Sequence, residues 1–346
     1  MTPRIAVFGP GYSGGRFQQA FEHVCDGGGS ELSVDRIDRT TASQLAEDAE
    51  MRRRRVDEAD VIVNSTNDDQ HESLLPVLKS SRGFIVWEKP LSTPGTDDGL
   101  SFPEIWLDPT RFALNCVERY SEAVDAFQSM VRERGLIPAR INFIWAKNRF
   151  DDPRPTVGVA SEVIHPLDMT AFLLGASAQN LRVQDSHVVE SDYRAPGVWS
   201  PEAVQVAGTC GETTFTGYSS FGHPGRRRVF DITLTDRHGA REYVEITFDE
   251  PTWDRDRLLH WTDEKTLLDE WMTSGPAKAP STCGKLTRFV EDVLDGRHGR
   301  RYTTLREALH LQQILDAVQA QSPTRAHYGG GPGRRMLDRD DLERLG

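Results

Sequence analysis

Two rhythms of apolar residues divide the chain. Through residue 133, short unbroken apolar runs alternate with stretches whose apolar positions recur every three or four residues. Ile5 to Phe8 precedes Phe17, Ala20, Phe21 and Val24; residues 32–38 precede a helix-like stretch at 42–51; Val61, Ile62 and Val63 precede Leu74, Leu75 and Val77. A third run, Phe84, Ile85, Val86 and Trp87, and a fourth at 111–117 follow, the last leading into Val124, Phe127 and Met130. Strands buried on both faces, alternating with amphipathic helices, predict βαβ units and a parallel sheet.

After about residue 138 the period falls to two. Ile141, Phe143 and Trp145 alternate with other residues, and strands are predicted at 140–147, 182–190, 203–210, 213–220, 227–235 and 241–248. Turn signals such as Cys210-Gly211-Glu212 and Asp236-Arg237-His238-Gly239 separate several of them, as in an antiparallel sheet. One helix is expected at 159–174, and closing helices at 284–294 and 304–321. The second opens on the capping box Thr304-Leu305-Arg306-Glu307. The predicted fold is α/β: a Rossmann dinucleotide-binding domain at 1–135, an α+β domain with a mostly antiparallel open sheet at 136–322, and a polar tail rich in Gly, Arg and Asp at 323–346.

Composition narrows the function. The chain has 346 residues, long enough for two domains, and 41 Lys and Arg against 53 Asp and Glu give a formal charge of −12. Such a balance disfavours nucleic acid and anionic membrane as partners and favours small molecules. No apolar run approaches a membrane span and no apolar leader precedes Ile5, so a cytoplasmic protein is expected. Cys25, Cys116, Cys210 and Cys283 lie far apart, without zinc-ligand spacing, so neither a metal site nor a disulfide framework is expected.

Candidate chemistry gathers where apolar runs end. Gly9-x-Gly11-x-x-Gly14, with Tyr12 and Ser13 between, follows a strand and opens a helix, the context in which this pattern binds a dinucleotide pyrophosphate. An acid is expected about 20 residues on for the ribose hydroxyls. Asp35 and Asp38 compete, with Asp38 favoured because the next helical stretch begins soon after it. Arg39 beside it would suit a 2′-phosphate, so NAD and NADP both stay open. Ser65, Thr66 and Asn67 end the next strand, with His71 on the turn after it. Glu88-Lys89-Pro90 ends the strand after that, at the edge where open α/β sheets bind ligands. In the helix at 159–174, Ser161, His165 and Asp168 can share one face, with Glu162 one step round.

With these motifs in place, the sequence resembles the glucose-fructose oxidoreductase, inositol dehydrogenase and MocA (Gfo/Idh/MocA) family. The carrying residues are the glycine turn, Asn67-Asp68-Asp69-Gln70-His71, Glu88-Lys89-Pro90, Arg119-Tyr120-Ser121, His165-x-x-Asp168 and the Leu- and Gln-rich closing helix, together covering about residues 3–322. The resemblance implies an NAD(P)-dependent oxidoreductase that assembles as a dimer or tetramer through its C-terminal sheet. It places the catalytic lysine on Lys89 and the catalytic histidine on His165, and it makes Arg119, Tyr120, Ser161, Glu162 and Asp168 candidates for substrate binding. Ser65, Thr66, Asn67, His71, Glu88 and Lys89 itself join the cofactor set. One departure stands out: the position four before the histidine, commonly aspartate in the family's sugar and polyol dehydrogenases, is Ser161.

Hydride transfer to a carbonyl leaves negative charge on oxygen, which an ammonium can stabilise and then protonate. Lys89 fits that role, with a sugar, nucleotide sugar or related keto or hydroxy compound as substrate. Two alternatives carry different outcomes: an imine reductase, motivated by Ser161, and a catalytically silent NAD(P)-binding sensor.

Overall fold

The computed structural model describes residues 2–29, 31–95, 109–152, 154–273, 284–295 and 301–329. The chain divides into two units: Met1–Tyr120 with Pro276–Gln312, and Ser121–Gly275 with Gln313–Gly346.

The first unit is built on five parallel strands, β1 (Arg4–Phe8), β2 (Ser33–Ile37), β3 (Val61–Asn64), β4 (Phe84–Trp87) and β5 (Phe112–Leu114), in the order β2-β1-β3-β4-β5. The order reverses between β1 and β3, and ligands of such sheets bind outside the carboxyl ends of the strands at that switch point. The helices of this unit include α1 (Tyr12–Gly27), α2 (Arg39–Glu47), α3 (Ala49–Arg52) and α4 (Leu75–Leu78). Alternation along the strands sends Ile5, Val7, Val61, Val63 and Val86 to one face, where they pack with Phe17, Ala20 and Phe21 of α1. The same cluster takes in Leu286, Phe289, Val290 and Val293.

The second unit carries α5 (Glu122–Arg134) and then a nine-stranded mixed sheet. Its strands are β6 (Ile137–Asn148), β7 (Leu181–Ser191), β8 (Ser200–Cys210), β9 (Thr213–Ser220), β10 (Gly222–Thr235), β11 (Arg241–Thr247), β12 (Arg257–Thr262), β13 (Leu267–Met272) and β14 (Thr324–Ala326), ordered β13-β12-β11-β10-β6-β9-β8-β7-β14. Only β6 with β9 and β7 with β14 run parallel. The two-residue loop Gly211-Glu212 joins β8 to β9, and Gly211 takes φ +61°, the backbone that a tight hairpin of right-handed twist needs at this position. Helix α6 (Ala160–Leu173) packs on β6, β8 and β9. In the closing segments, α7 (Gly284–Asp295) belongs to the first unit and α8 (Leu305–Gln319) spans the division point.

The fold class agrees with the sequence expectation, and several boundaries differ. The linear division at 135/136 and 322 gives way to one in which α5 joins the second unit and α7 returns to the first, because the apolar stripe of α7 packs against α1 and β-strand residues near the start of the chain. The helix expected at 42–51 begins at Arg39 and breaks at Asp48, whose backbone is extended and whose carboxylate caps α3 by accepting from the Met51 amide. The strand expected at 111–117 is only Phe112–Leu114, followed by a turn of 3₁₀ helix at Val117–Tyr120. Strands β12 and β13 were not expected. The expected tail at 323–346 starts as β14, which extends the sheet beside β7, while residues 330–346 lie outside the described residues, as does Cys283. No helix among the described residues is long and apolar enough to cross a membrane.

Candidate functional site

Within the first unit, the predicted dinucleotide residues converge on the carboxyl edge of the sheet. Gly9 sits at φ +75° at the end of β1, and a Cβ there would come within 2.5 Å of the Ser65 carbonyl oxygen. The strand end and the loop after β3 can lie this close only because residue 9 lacks a side chain. Ser65 closes the same gap: its amide donates to the Phe8 carbonyl at 3.0 Å and its hydroxyl donates to that carbonyl at 2.7 Å. A Cβ on Gly14 would collide with the Gly9 carbonyl, so helix and strand approach closely there too.

The amino end of α1 is open. Gly11 is its N-cap and provides no side-chain cap; the first turn holds no acid, and a Cβ at Gly11 would meet nothing within 4 Å. The first amides of a helix have no intrahelical acceptor, so an uncapped and unobstructed start presents several donors and the positive end of the helix dipole to a phosphate. Tyr12 projects from this turn, 60% exposed, with the Arg16 guanidinium 5.8 Å from its ring centre.

Glu88 ties this turn to β4. Its carboxylate accepts from the Ser13 hydroxyl and, at 2.9 Å, from the Asn115 side-chain amide; its own amide donates to the Asn64 carbonyl at 2.9 Å. Lys89 follows, half-buried, and the Lys89–Pro90 bond is cis. His71 is fully buried. One ring nitrogen lies 2.8 Å from the Pro90 carbonyl oxygen and the other 3.2 Å from that of Thr66, while the ring meets Trp87 edge-on at 5.7 Å. The imidazole thus braces the β3 and β4 loop ends and holds the backbone around Lys89. Thr66 is held in turn by the Asn64 side-chain oxygen at 2.7 Å, and Asn67 is exposed, its backbone capping the next 3₁₀ turn.

The acid question narrows. Asp35 is engaged by Arg55, whose Nε lies 2.6 Å away, whereas Asp38 is exposed at the start of α2 and accepts from the Thr41 amide at 2.8 Å. That amide, with further help from the Thr41 hydroxyl, holds the Asp38 carboxyl below its usual range, so it stays anionic at neutral pH. Arg39 is exposed beside it.

Arg119 and Tyr120, expected near substrate, have other engagements. Both are about 97% buried; Arg119 donates to the Arg301 carbonyl at 3.0 Å and approaches Glu307, and Tyr120 donates to Asp292 at 2.6 Å. Burial together with that acceptor pushes the phenol far up. These side chains lock the 3₁₀ turn to the segments around α7 and α8, a packing role that the Arg-Tyr-Ser motif alone did not reveal.

In the second unit, α6 carries Ser161, Glu162, His165 and Asp168, all buried. Ser161 donates its hydroxyl to the Gly158 carbonyl at 3.0 Å, just ahead of the helix. Glu162 accepts from the Trp145 indole at 3.0 Å, Lys147 at 2.5 Å and Arg228 at 3.0 Å, and Arg228 also reaches Asp249 at 2.5 Å. His165 stacks on Trp145, ring centres 5.7 Å apart and planes 24° from parallel. Asp168 is fully buried one turn on. Sequence reasoning missed Asn64, Asn115, Trp145, Lys147 and Arg228. Of these, only Trp145 stood at a position that the sequence pattern had marked, in the alternating run of β6.

No protein-family model and no curated protein matches the chain. Its fold is similar to that of UDP-N-acetylglucosamine 3-dehydrogenase GnnA from Acidithiobacillus ferrooxidans, at 16% identity and TM-score 0.64 over 92% of this chain and 97% of that one. It is similar also to KijD10, a 3-ketoreductase from Actinomadura kijaniata solved with NADP and TDP-benzene, at 12% identity and TM-score 0.67 over 95% and 100%. A third likeness is the dehydrogenase MviM from Clostridium difficile, at 10% identity and TM-score 0.63 over 92% and 99%. At these identities the likeness establishes the fold, and it is the two-part fold that the sequence resemblance implied.

Proposed function

We propose that this chain is an NAD(P)-dependent oxidoreductase acting on a sugar, nucleotide sugar or related keto or hydroxy compound, with Lys89 as proton donor and acceptor. The observation that carries the reading is the uncapped, acid-free start of α1 fastened through Ser13 and Glu88 to the strand end that bears Lys89. Gly9, Gly11, Tyr12, Ser13 and Gly14 would hold the pyrophosphate, Asp38 and Arg39 the adenosine ribose, and Ser65, Thr66, Asn67, His71 and Glu88 the surrounding loops. The bound cofactor supplies or accepts a hydride. Lys89 would stabilise the oxyanion that forms as a carbonyl is reduced and give it a proton, a contribution of roughly 100-fold or more to rate. His165, an imidazole able to exchange protons near neutral pH, is the second proton-handling candidate.

GnnA is a UDP-sugar dehydrogenase and KijD10 was solved with NADP and a TDP ligand, which makes nucleotide sugars the first substrates to try. Lys89→Met is expected to bind NAD or NADP like the parent by calorimetry and to lose turnover about 100-fold; full turnover would remove Lys89 from the mechanism. Ser161 favours one second reading, because its hydroxyl is bonded to Gly158 where a carboxylate relay would be useful. A cyclic imine that is protonated before it reacts takes hydride as the iminium and asks for less proton delivery from the protein, so NADPH consumption on cyclic imines against keto sugars separates the two. Cofactor binding without turnover on either would favour a sensor. We also infer assembly into a dimer or tetramer through the nine-stranded sheet, to be checked by light scattering.

A further inference from the structure

We propose that Glu162 sets the ring plane of His165, acting through the Trp145 indole, and so fills the orienting role that Ser161 leaves open. The inference rests on the reading of His165 as a proton-handling group. Ser161 offers a hydroxyl that is bonded to the Gly158 carbonyl at 3.0 Å, and it brings no charge. Glu162 is the neighbouring acid, 1% exposed, three residues before the histidine on the same helix.

Glu162 is an anchor rather than a base. Three donors converge on its carboxylate, and two of them, Lys147 and Arg228, are cations. Taking a proton there would mean giving up interactions with both, so the carboxylate stays an acceptor. What it holds is the indole. Trp145 is fully buried, its N–H donates to Glu162 at 3.0 Å, and Phe230 and Phe248 stand against its ring at 6.2 Å and 5.8 Å. The Arg228 guanidinium, kept in place by Glu162 and Asp249, lies 4.7 Å from the indole centre. A ring with its N–H bonded, its sides walled and a cation over it has one orientation. The His165 imidazole, stacked at 24° on that ring, inherits its plane. Glu162 is therefore a positioning residue, and Trp145 is the part through which it acts.

The test reads His165 directly, in the full chain labelled with 13C and 15N in histidine, the signal being assigned by its loss in His165→Asn. In the parent, stacking should displace the imidazole Cε1–H resonance upfield. Glu162→Gln keeps an acceptor for the indole N–H and should preserve most of that displacement; Glu162→Ala should lose it. If Glu162→Ala does not fold, Trp145→Phe, which retains an aromatic ring without the N–H, should shift or broaden the same signal. An unchanged displacement in Glu162→Ala or in Trp145→Phe, an equal loss in Gln and Ala variants, or no displacement in the parent would overturn the proposal. In a kinetic arm with NADPH and nucleotide-keto sugars, Glu162→Ala should lower kcat by about 10- to 100-fold, the scale of a misplaced catalytic group, with KM for NADPH unchanged. Absence of turnover in the parent would count against the oxidoreductase reading while the resonance data still decided the role of Glu162.

Discussion

The glycine turn of the first unit and the carboxylate hub of the second achieve rigidity by opposite means. Around Gly9, Gly14 and Ser65 the backbone itself is the structure: side chains are missing where chains must touch, and neutral hydrogen bonds close the gaps. Around Glu162 the backbone is ordinary helix and strand, and position is set by charges taken out of water, with Arg228 and Asp249 both buried beside it. A backbone device fails when something is added. A buried charge device fails when something is removed, because the partner left behind cannot be solvated.

The comparison can be broken at both ends. The largest effect is expected for Glu162→Ala, which leaves the buried Arg228 with Asp249, takes the acceptor from Trp145 and Lys147, and should lower stability by about 3–5 kcal/mol in denaturant unfolding. Gly14→Ala adds one carbon against the Gly9 carbonyl and should cost about 1–3 kcal/mol, with dinucleotide affinity falling alongside stability when both are measured by calorimetry. Asp152 extends the charge strategy to the loop after β6. Burial opposes its ionisation, yet hydrogen bonds from Arg154 and Arg149 outweigh that and bring its carboxyl from 3.8 to about 2. A lowered folded-state pKa stabilises above the unfolded value and loses that contribution as pH falls through the folded one. Asp152→Asn should therefore remove about 2 kcal/mol of stability at neutral pH and flatten the loss otherwise seen from about pH 4 towards pH 2. Ser13→Ala is the mildest, about 1 kcal/mol for one hydrogen bond to a carboxylate, and should show mainly as weaker cofactor binding.

The same contrast explains what was readable in the sequence. The parallel sheet and glycine turn were legible because their causes are local: four-residue apolar runs, a fixed glycine spacing, and a loop that follows at once. The capping box was equally local, and the structure forms it, with the Thr304 amide 2.9 Å from Glu307. The hub was not legible. Lys147, Glu162, Arg228 and Asp249 come from β6, α6, β10 and the loop after β11, and nothing in sequence spacing joins them. Arg119 and Tyr120 misled for a related reason, since a motif names residue types and not the partners, Asp292, Arg301 and Glu307, that absorb them. Strand β13 escaped because it is exposed along nearly its whole length and lacks the alternation that marks a half-buried strand, and β12 because one of its two buried positions is a histidine, His260, and not an apolar residue.

Strand β14 has a practical bearing on how the protein is handled. Three residues, Thr324 to Ala326, shield the outer side of β7, and just beyond them Tyr328 anchors the segment by its amide to Asp192 at 2.7 Å and by its hydroxyl to Glu202 at 3.0 Å. Cutting the chain at residue 322 would strip that shield and open the outer edge of β7 at Val189, Glu190 and Ser191 to pairing with other molecules. Shortened versions that keep Tyr328 are expected to stay dispersed at concentrations where those ending at 322 precipitate.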